Sequence, residues 1–293
     1  MRNTARIAVV CTLEKARLPW LRHFVAHYQA QGIERFFLSI QCEQGKRTEG
    51  EATRKQAIKL VRPLGVGDVE LLERNFDAMA LRAHHDSIQS RGEADWFVWA
   101  DLDEFQVYPR LIPDLVETWR ARNITACAGL FVDRVSRSGE LVRFDARRPV
   151  WGQFPVGATV TRDLVGGQIH KVVCAHASVG IKHANHDPVP GQKITWAQEI
   201  IPVHHFKWDK TVIERLKIRL TRSWKARCHW WVQTDRLYRA LALNEGKIPL
   251  DYVARFDFKD DALPLAAEPY RSNRRYREWQ RSGRRKLWGD GRA

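Results

Sequence analysis

The sequence predicts an α/β fold with a mainly parallel central sheet, crossover helices and a helical, basic C-terminal extension. The first observation is a strand-helix-strand unit: residues 6–13 and 33–40 are apolar strands, and residues 18–31 between them repeat apolar side chains at helical spacing. Gly32 stands where the helix is expected to end. Parallel neighbours need such a crossover because both strands start at the same edge of the sheet. The second observation is another buried strand, residues 96–100, which stops at a dense group of acids.

Further patterns continue the alternation of strands and helices. They predict a short strand, two helices and a strand at residues 69–72, 75–91, 112–122 and 126–132. A long helix is predicted from Asp209 to Leu243, because apolar residues recur there at every fourth position. We therefore predict a sheet domain over residues 1–208 and a C-terminal part, residues 209–293, with the long helix and a basic tail.

Composition limits the classes of protein to consider. The chain has 293 residues, of which 44% are hydrophobic, so it is long and apolar enough for one large or two modest globular domains. The five cysteines are scattered and never occur as C-x-x-C, which argues against a disulfide framework or a zinc site and favours a reducing compartment. Apolar stretches stay well below the roughly 20 residues of a membrane span. A cytoplasmic location is predicted.

The net charge is +15, and the excess is concentrated at the end of the chain. Residues 271–293 contain nine Arg or Lys side chains against Glu278 and Asp290, with Trp and Tyr interleaved. Such a segment favours polyanions. An anionic membrane surface, reached peripherally from the inner face, is preferred to nucleic acid as its partner. The alternative is a solvated basic face.

The main functional prediction comes from the segment between Asp95 and Phe105. Its apolar strand ends in Asp101-Leu102-Asp103-Glu104, with three carboxylates in four residues. In an extended chain, residues two apart point to the same side, so Asp101 and Asp103 can converge. Converging carboxylates are the ligands of a hard divalent cation, which in turn holds phosphate oxygens. The alternative is a strand end followed by a solvated acidic turn.

Several blocks, in this order, resemble the family 2-like glycosyltransferases of the GT-A fold. Within that family, the resemblance is to the subgroup with a D-W-x-x-x-x-D-x-D-E-F strand end. The blocks are the first strand with Glu14 after it, the helix with His27-Tyr28, the strand end from Asp95 to Phe105, and His204-His205-Phe206-Lys207. The resemblance covers roughly residues 6–220. It implies a GT-A-like nucleotide-sugar-binding and catalytic domain over residues 1–208.

The same resemblance implies the ligands of this site. Asp101 and Asp103 would form the site for Mn²⁺ or Mg²⁺, in which Asp103 binds the metal on the donor diphosphate and Asp101 faces the ribose or a metal-bound water. Glu14 and Glu43, which follow the first two strands, would contact the nucleoside. Six of the eleven histidines fall between residues 170 and 205, and a further metal ligand is expected among them. The preferred candidates are His204, His205 and His183.

Sugar transfer with inversion needs a carboxylate that takes the proton of the acceptor hydroxyl. Asp133, Glu199 and Asp187 are the candidates. The predicted protein is a nucleotide-sugar-dependent glycosyltransferase acting on a carbohydrate or lipid-linked acceptor of the cell envelope. Two alternatives stay open: a metal-dependent phosphotransferase or nuclease, and a non-catalytic basic binding protein on a degenerate transferase scaffold.

Overall fold

The computed structural model describes residues 4–75, 77–182, 185–221, 231–253 and 255–256. The chain divides into two compact units. Unit 1 comprises Met1–Leu130 and His170–Val203, and unit 2 comprises Phe131–Ile169 and His204–Ala293. The prediction of a catalytic domain over residues 1–208 concerns function and stays a prediction.

The described residues form ten strands and eight α-helices. The strands are β1 (Ile7–Leu13), β2 (Arg35–Cys42), β3 (Glu70–Glu73), β4 (Trp96–Trp99), β5 (Glu104–Gln106), β6 (Ala126–Val135), β7 (Val156–Ala158), β8 (His170–His176), β9 (Trp196–His205) and β10 (Arg255–Phe256). The helices are α1 (Leu21–Ala30), α2 (Arg47–Val61), α3 (Ala78–Ser90), α4 (Ile112–Ala121), α5 (Val150–Gln153), α6 (Val160–Asp163), α7 (Thr211–Arg219) and α8 (Trp231–Leu243). Short 3-10 helices lie at Lys15–Trp20, Arg62–Leu64 and Leu250–Tyr252.

Four parallel strands form one side of the sheet in unit 1, in the order β3-β2-β1-β4. Helices α1, α2 and α3 follow β1, β2 and β3 in the chain and make the crossovers between parallel strands. All four residues of β4 are buried. Burial on both faces explains why this strand is a continuous apolar run instead of an alternating one. The predicted α/β class, parallel strands and crossover helices are confirmed.

Antiparallel strands extend the sheet of unit 1 beyond β4. Strand β8 pairs antiparallel with β4, and the first half of β6 pairs antiparallel with β8. Strand β9 pairs with both β5 and β6. A buried cluster on one face joins Val10, Phe97, Trp99 and Val172 from three of these strands to Ile88 of α3. The residues around the acids therefore belong to a packed core.

Gly129 lies where β6 packs closely against its neighbours in unit 1. A Cβ atom there would clash with Cγ1 of Val173 and would lie 2.8 Å from both the carbonyl oxygen of Ile201 and Cγ2 of Val203. We expect Gly129→Ala to lower the free energy of unfolding by about 1–3 kcal/mol, because overpacking displaces side chains and backbone. Urea denaturation measures this change. Gly67→Ala is the matched control, since a Cβ there meets nothing within 4 Å, and equal effects of the two substitutions would contradict the expectation.

Unit 2 has its own apolar core. The end of β6 pairs antiparallel with β7, and β7 pairs antiparallel with β10. Trp208, Val212 and Leu216 pack in one buried cluster with Leu237 and Leu241 of α8. Helices α7 and α8 thus cover these short strands with their apolar faces.

The single long helix predicted from Asp209 to Leu243 is wrong. Helix α7 ends at Arg219, where both the backbone N–H and the hydroxyl of Thr221 donate to the carbonyl oxygen of Ile218, at 3.1 and 2.8 Å. Bonds of this type tighten and end the last turn, because the threonine hydroxyl competes for the helix carbonyls. The basic tail, residues 271–293, lies outside the described residues.

A helix long and apolar enough to cross a membrane is not found among the residues that the structure describes.

Candidate functional site

The predicted acids lie at the carboxyl edge of the parallel strands in unit 1. Glu14 follows β1, Glu43 follows β2 and Asp101 comes shortly after β4, and all three are exposed. Parallel strands bring these ends to one edge. From β1, the chain adds β2 and β3 on one side and later β4 on the other, so the strand order reverses between β1 and β4. Open α/β sheets bind ligands in the crevice at such a reversal, outside the carboxyl ends of the strands.

Asp101, Asp103 and Glu104 form a tight turn between β4 and β5. The backbone N–H of Glu104 donates to the carbonyl oxygen of Asp101 at 2.9 Å, and the N–H of Asp101 donates to Oε2 of Glu104 at 3.0 Å. Asp101 is exposed, whereas Asp103 and Glu104 retain only 9% and 2% exposure. Of the three acids, Asp101 therefore offers its carboxylate most openly to a ligand.

Two buried, positively charged side chains form ion pairs with acids of this turn. Nη2 of Arg17, in the 3-10 helix after β1, lies 2.9 Å from Oδ2 of Asp103. Lys171, in β8, forms an ion pair with Glu104. Burial acts to lower the pKa of Lys171, but the negative charges of Glu104, Asp101 and Asp103 outweigh it, and the pKa is raised above its ordinary value. Lys171 is therefore protonated at neutral pH, and two of the three carboxylates are compensated from within the protein.

Buried hydrogen bonds hold β5 beside the turn. The hydroxyl of Tyr28 donates to the carbonyl oxygen of Glu104 at 3.1 Å and accepts from the N–H of Gln106 at 3.3 Å. Nε2 of Gln106 donates to the carbonyl oxygen of Trp99 at 2.8 Å. Nε2 of His27 lies 2.7 Å from the carbonyl oxygen of Gln106, and burial lowers the pKa of His27 to about 4. The neutral imidazole donates this bond, which fixes the strand that follows the acids.

Two histidines of α3 reach the strands near the same edge. Nε2 of His84 lies 2.7 Å from the hydroxyl of Ser39 in β2, and Nε2 of His85 lies 3.4 Å from that of Thr12 in β1. Burial lowers the pKa of both imidazoles, that of His85 to about 3. Both rings are therefore neutral at pH 7 and take part in hydrogen bonds beside the carboxyl ends of the strands.

Sequence reasoning missed Arg17, Lys171, His84 and His85. A signal exists for the two cations, since each directly precedes an apolar stretch, Leu18–Leu21 after Arg17 and Val172–Ala175 after Lys171. A charged side chain within a buried segment needs an opposite charge nearby. That rule indicates a buried acid as partner, although it does not identify which one.

Asp133, a predicted base, is the centre of a buried network in unit 2. Its Oδ1 accepts from Nε1 of Trp208 at 2.8 Å and from the hydroxyl of Thr161 at 2.8 Å, and lies 3.0 Å from Nδ1 of His205. Its Oδ2 accepts from the N–H of Thr161 at 2.5 Å. The side chain of Asp133 is 1% exposed. These contacts indicate a structural acceptor, and they orient His205, one of the two predicted metal-ligating histidines in this unit.

The other two predicted bases lie in unit 1. Oδ1 of Asp187 is 3.4 Å from Nε2 of His170, and its side chain is 39% exposed. Oε2 of Glu199 accepts from Nε1 of Trp119 at 3.4 Å. His183 lies outside the described residues. The roles of these residues stay predictions.

Of the acids in this turn, the exposed Asp101 has the chemistry that suits a hard divalent cation. Magnesium is usually held by one or two carboxylates together with substrate phosphates, and seldom by a complete cage of protein ligands. Asp101 supplies an exposed carboxylate of this kind, and each carboxylate has about four lone-pair sites. Within the described part of the chain, three or more His, Cys, Asp or Glu side chains are not found grouped as a metal site. The phosphate oxygens of a nucleotide would complete the coordination.

No protein-family model matches this sequence, and neither does any curated protein. Among solved structures, the chain is similar to TarS from S. aureus, with a TM-score of 0.33 and 7% identity over 81% of this chain and 44% of the TarS chain. It is also similar to a CMP:2-keto-3-deoxy-manno-octonic acid synthetase complexed with CTP (TM-score 0.31, 12% identity, 59% of this chain and 75% of that chain). HddC from Yersinia pseudotuberculosis gives a TM-score of 0.35 and 10% identity over 73% of this chain and 99% of its own. The chain spans less than half the length of TarS. At these TM-scores we base the functional proposal on the chain's own residues.

Proposed function

We propose that this protein is a metal-dependent glycosyltransferase that moves a sugar from a nucleotide-sugar donor to a glycan or other acceptor of the cell envelope. One observation carries the proposal. Exposed acids, Asp101 and Glu14, follow β4 and β1 at the carboxyl edge, where the strand order reverses between these two strands. An acidic edge at this place suits a ligand that arrives with a divalent cation, as a nucleoside diphosphate does.

Asp101, together with Asp103, is proposed to hold Mn²⁺ or Mg²⁺ against the donor diphosphate. A bound cation would stabilise the negative charge that develops on the departing nucleoside diphosphate. Glu14 and Glu43, exposed at the ends of β1 and β2, are proposed to contact the nucleoside. Metal ligation by His204, His205 or His183 stays a prediction from the sequence.

Asp187 is the proposed base, ahead of Glu199 and Asp133. Its carboxylate is partly exposed, and its Oδ1 lies 3.4 Å from Nε2 of His170. Asp133 is less suited because its carboxylate already accepts several buried hydrogen bonds.

The proposed acceptor is a carbohydrate or a lipid-linked sugar. The basic tail, residues 271–293, is proposed to rest on an anionic membrane surface.

Isothermal titration calorimetry with Mn²⁺ and a panel of UDP, GDP, CDP and TDP tests the proposal. We expect the wild-type protein to bind one of these nucleotides in the presence of Mn²⁺. Asp101→Asn should weaken that binding by about tenfold or more, equivalent to about 1.4 kcal/mol, because the amide carries no charge to attract the cation. Removing Mn²⁺ with EDTA should have a similar effect.

Asp68→Asn is the matched control for this titration. Asp68 is also an exposed acid of unit 1, but it precedes β3 and therefore lies at the opposite, amino edge of the parallel strands. Its substitution should leave nucleotide binding unchanged. The proposal fails if none of the four nucleotides binds with Mn²⁺, or if the two substitutions weaken binding equally.

A further inference from the structure

The Lys171–Glu104 ion pair is almost completely withdrawn from water. The two side chains are 1% and 2% exposed. Burying an ion pair requires the removal of water from both charges, and well-packed apolar residues in its place are often as stable or more stable. Stability alone is therefore a weak explanation for this pair, and its place beside the acidic turn indicates a second role.

Glu104 connects Lys171 to the backbone of Asp101. Oε2 of Glu104 accepts from Nζ of Lys171 and also from the N–H of Asp101, the latter at 3.0 Å. The N–H of Glu104 donates to the carbonyl oxygen of Asp101 at 2.9 Å. Both backbone polar groups of Asp101 are thus bonded to one residue, and the charge of that residue is stabilised by Lys171. Hydrogen bonds to an ionised acceptor are stronger than neutral ones.

We propose that Glu104 is a positioning residue, which fixes the backbone of Asp101 and thereby sets the affinity of the Asp101 carboxylate for a metal-bound nucleoside diphosphate, while Lys171 compensates the buried charge of Glu104. This inference rests on the proposed function and assigns neither residue a contact with the ligand. Substituting a residue that hydrogen-bonds to a metal ligand and orients it commonly lowers the metal affinity by about 10–100-fold. Glu104 would act in this way through the Asp101 N–H.

Two double substitutions distinguish the effect of losing the hydrogen bond to the Asp101 N–H from the effect of losing the two buried charges. Lys171→Met/Glu104→Gln and Lys171→Met/Glu104→Met both remove the two buried charges and keep similar side-chain volumes. Glutamine retains an oxygen that can accept from the Asp101 N–H, and methionine does not. Thermal unfolding of both proteins establishes that they fold.

Nucleotide affinity is then measured with Mn²⁺ and the member of the UDP, GDP, CDP and TDP panel that the wild-type protein binds most tightly. The Gln-containing protein should stay within about threefold of wild type, and the Met-containing protein should bind about tenfold or more weakly. Equal affinities in the two proteins would overturn the inference, because the pair would then serve the fold alone.

Amide hydrogen exchange of Asp101 gives a readout that does not need a nucleotide. The Asp101 N–H should exchange slowly in the wild-type and Gln-containing proteins and rapidly in the Met-containing one. If the wild-type protein binds none of the four nucleotides, the proposed function fails, and this exchange still decides whether Glu104 fixes Asp101. Equal exchange rates in the two double variants would overturn the positioning role.

Discussion

Lys171→Met is expected to lower the free energy of unfolding by about 3–5 kcal/mol, the usual effect of removing one partner of a buried ion pair. The substitution leaves the Glu104 carboxylate, 2% exposed, without its cation. A buried carboxylate without a counter-charge either stays ionised at a high free energy or takes up a proton, and both states destabilise the fold. Urea denaturation at neutral pH measures the loss.

Lys15→Met is the matched control. Nζ of Lys15 lies 2.8 Å from Oε1 of Glu49, but these side chains are 65% and 50% exposed. An exposed pair of this type contributes little to stability, because water screens the attraction between its charges. Adding Glu104→Gln to Lys171→Met should recover most of the lost stability, since it removes the uncompensated charge. A loss no larger than that of Lys15→Met would show that Lys171 is not buried against Glu104.

Asp133→Ala is expected to lower the free energy of unfolding by about 3 kcal/mol or more, because each buried donor without an acceptor is destabilising by about 1–3 kcal/mol. The alanine leaves the Thr161 N–H, the Thr161 hydroxyl and Nε1 of Trp208 without the carboxylate to which they donate. It also removes the partner 3.0 Å from Nδ1 of His205. Thermal and urea denaturation measure the change.

Asp187→Ala supplies the comparison, because both aspartates were predicted as bases from the sequence. The side chain of Asp187 is 39% exposed, and substitutions at such sites usually change stability by about 0.5 kcal/mol. We expect Asp187→Ala to fold normally and to lower the rate of sugar transfer instead. Equal losses of stability in the two variants would contradict the structural role of Asp133.

The parallel part of the fold could be predicted because its signals are local. Apolar runs at residues 6–13, 33–40 and 96–100 and the helical spacing between the first two specify strands and a crossover within short segments. The position of Asp101 at the carboxyl edge follows from the same signals, because an acid just after a buried parallel strand has only that edge to occupy.

The partners of the acids could not be predicted because they depend on long-range pairing. Lys171 and Glu104 are 67 residues apart in the chain, and they meet because β8 runs antiparallel beside β4. Within residues 133–195 the sequence indicates only short strand-like pieces, such as Val172–Cys174 in β8, and it does not specify the neighbour or the register of that strand. The bonds of Asp133 to Trp208 likewise join distant segments, and no spacing rule connects them.

A crystal grown with Mn²⁺ and the tightest-binding nucleoside diphosphate tests most directly whether the carboxyl edge of β1 and β4 binds the donor. Anomalous scattering from Mn²⁺ should appear beside the carboxylate of Asp101, with the diphosphate oxygens on the same ion and Glu14 next to the nucleotide. A nucleotide bound at any other part of the chain, or bound at this edge with the Mn²⁺ away from Asp101, would contradict the proposed site.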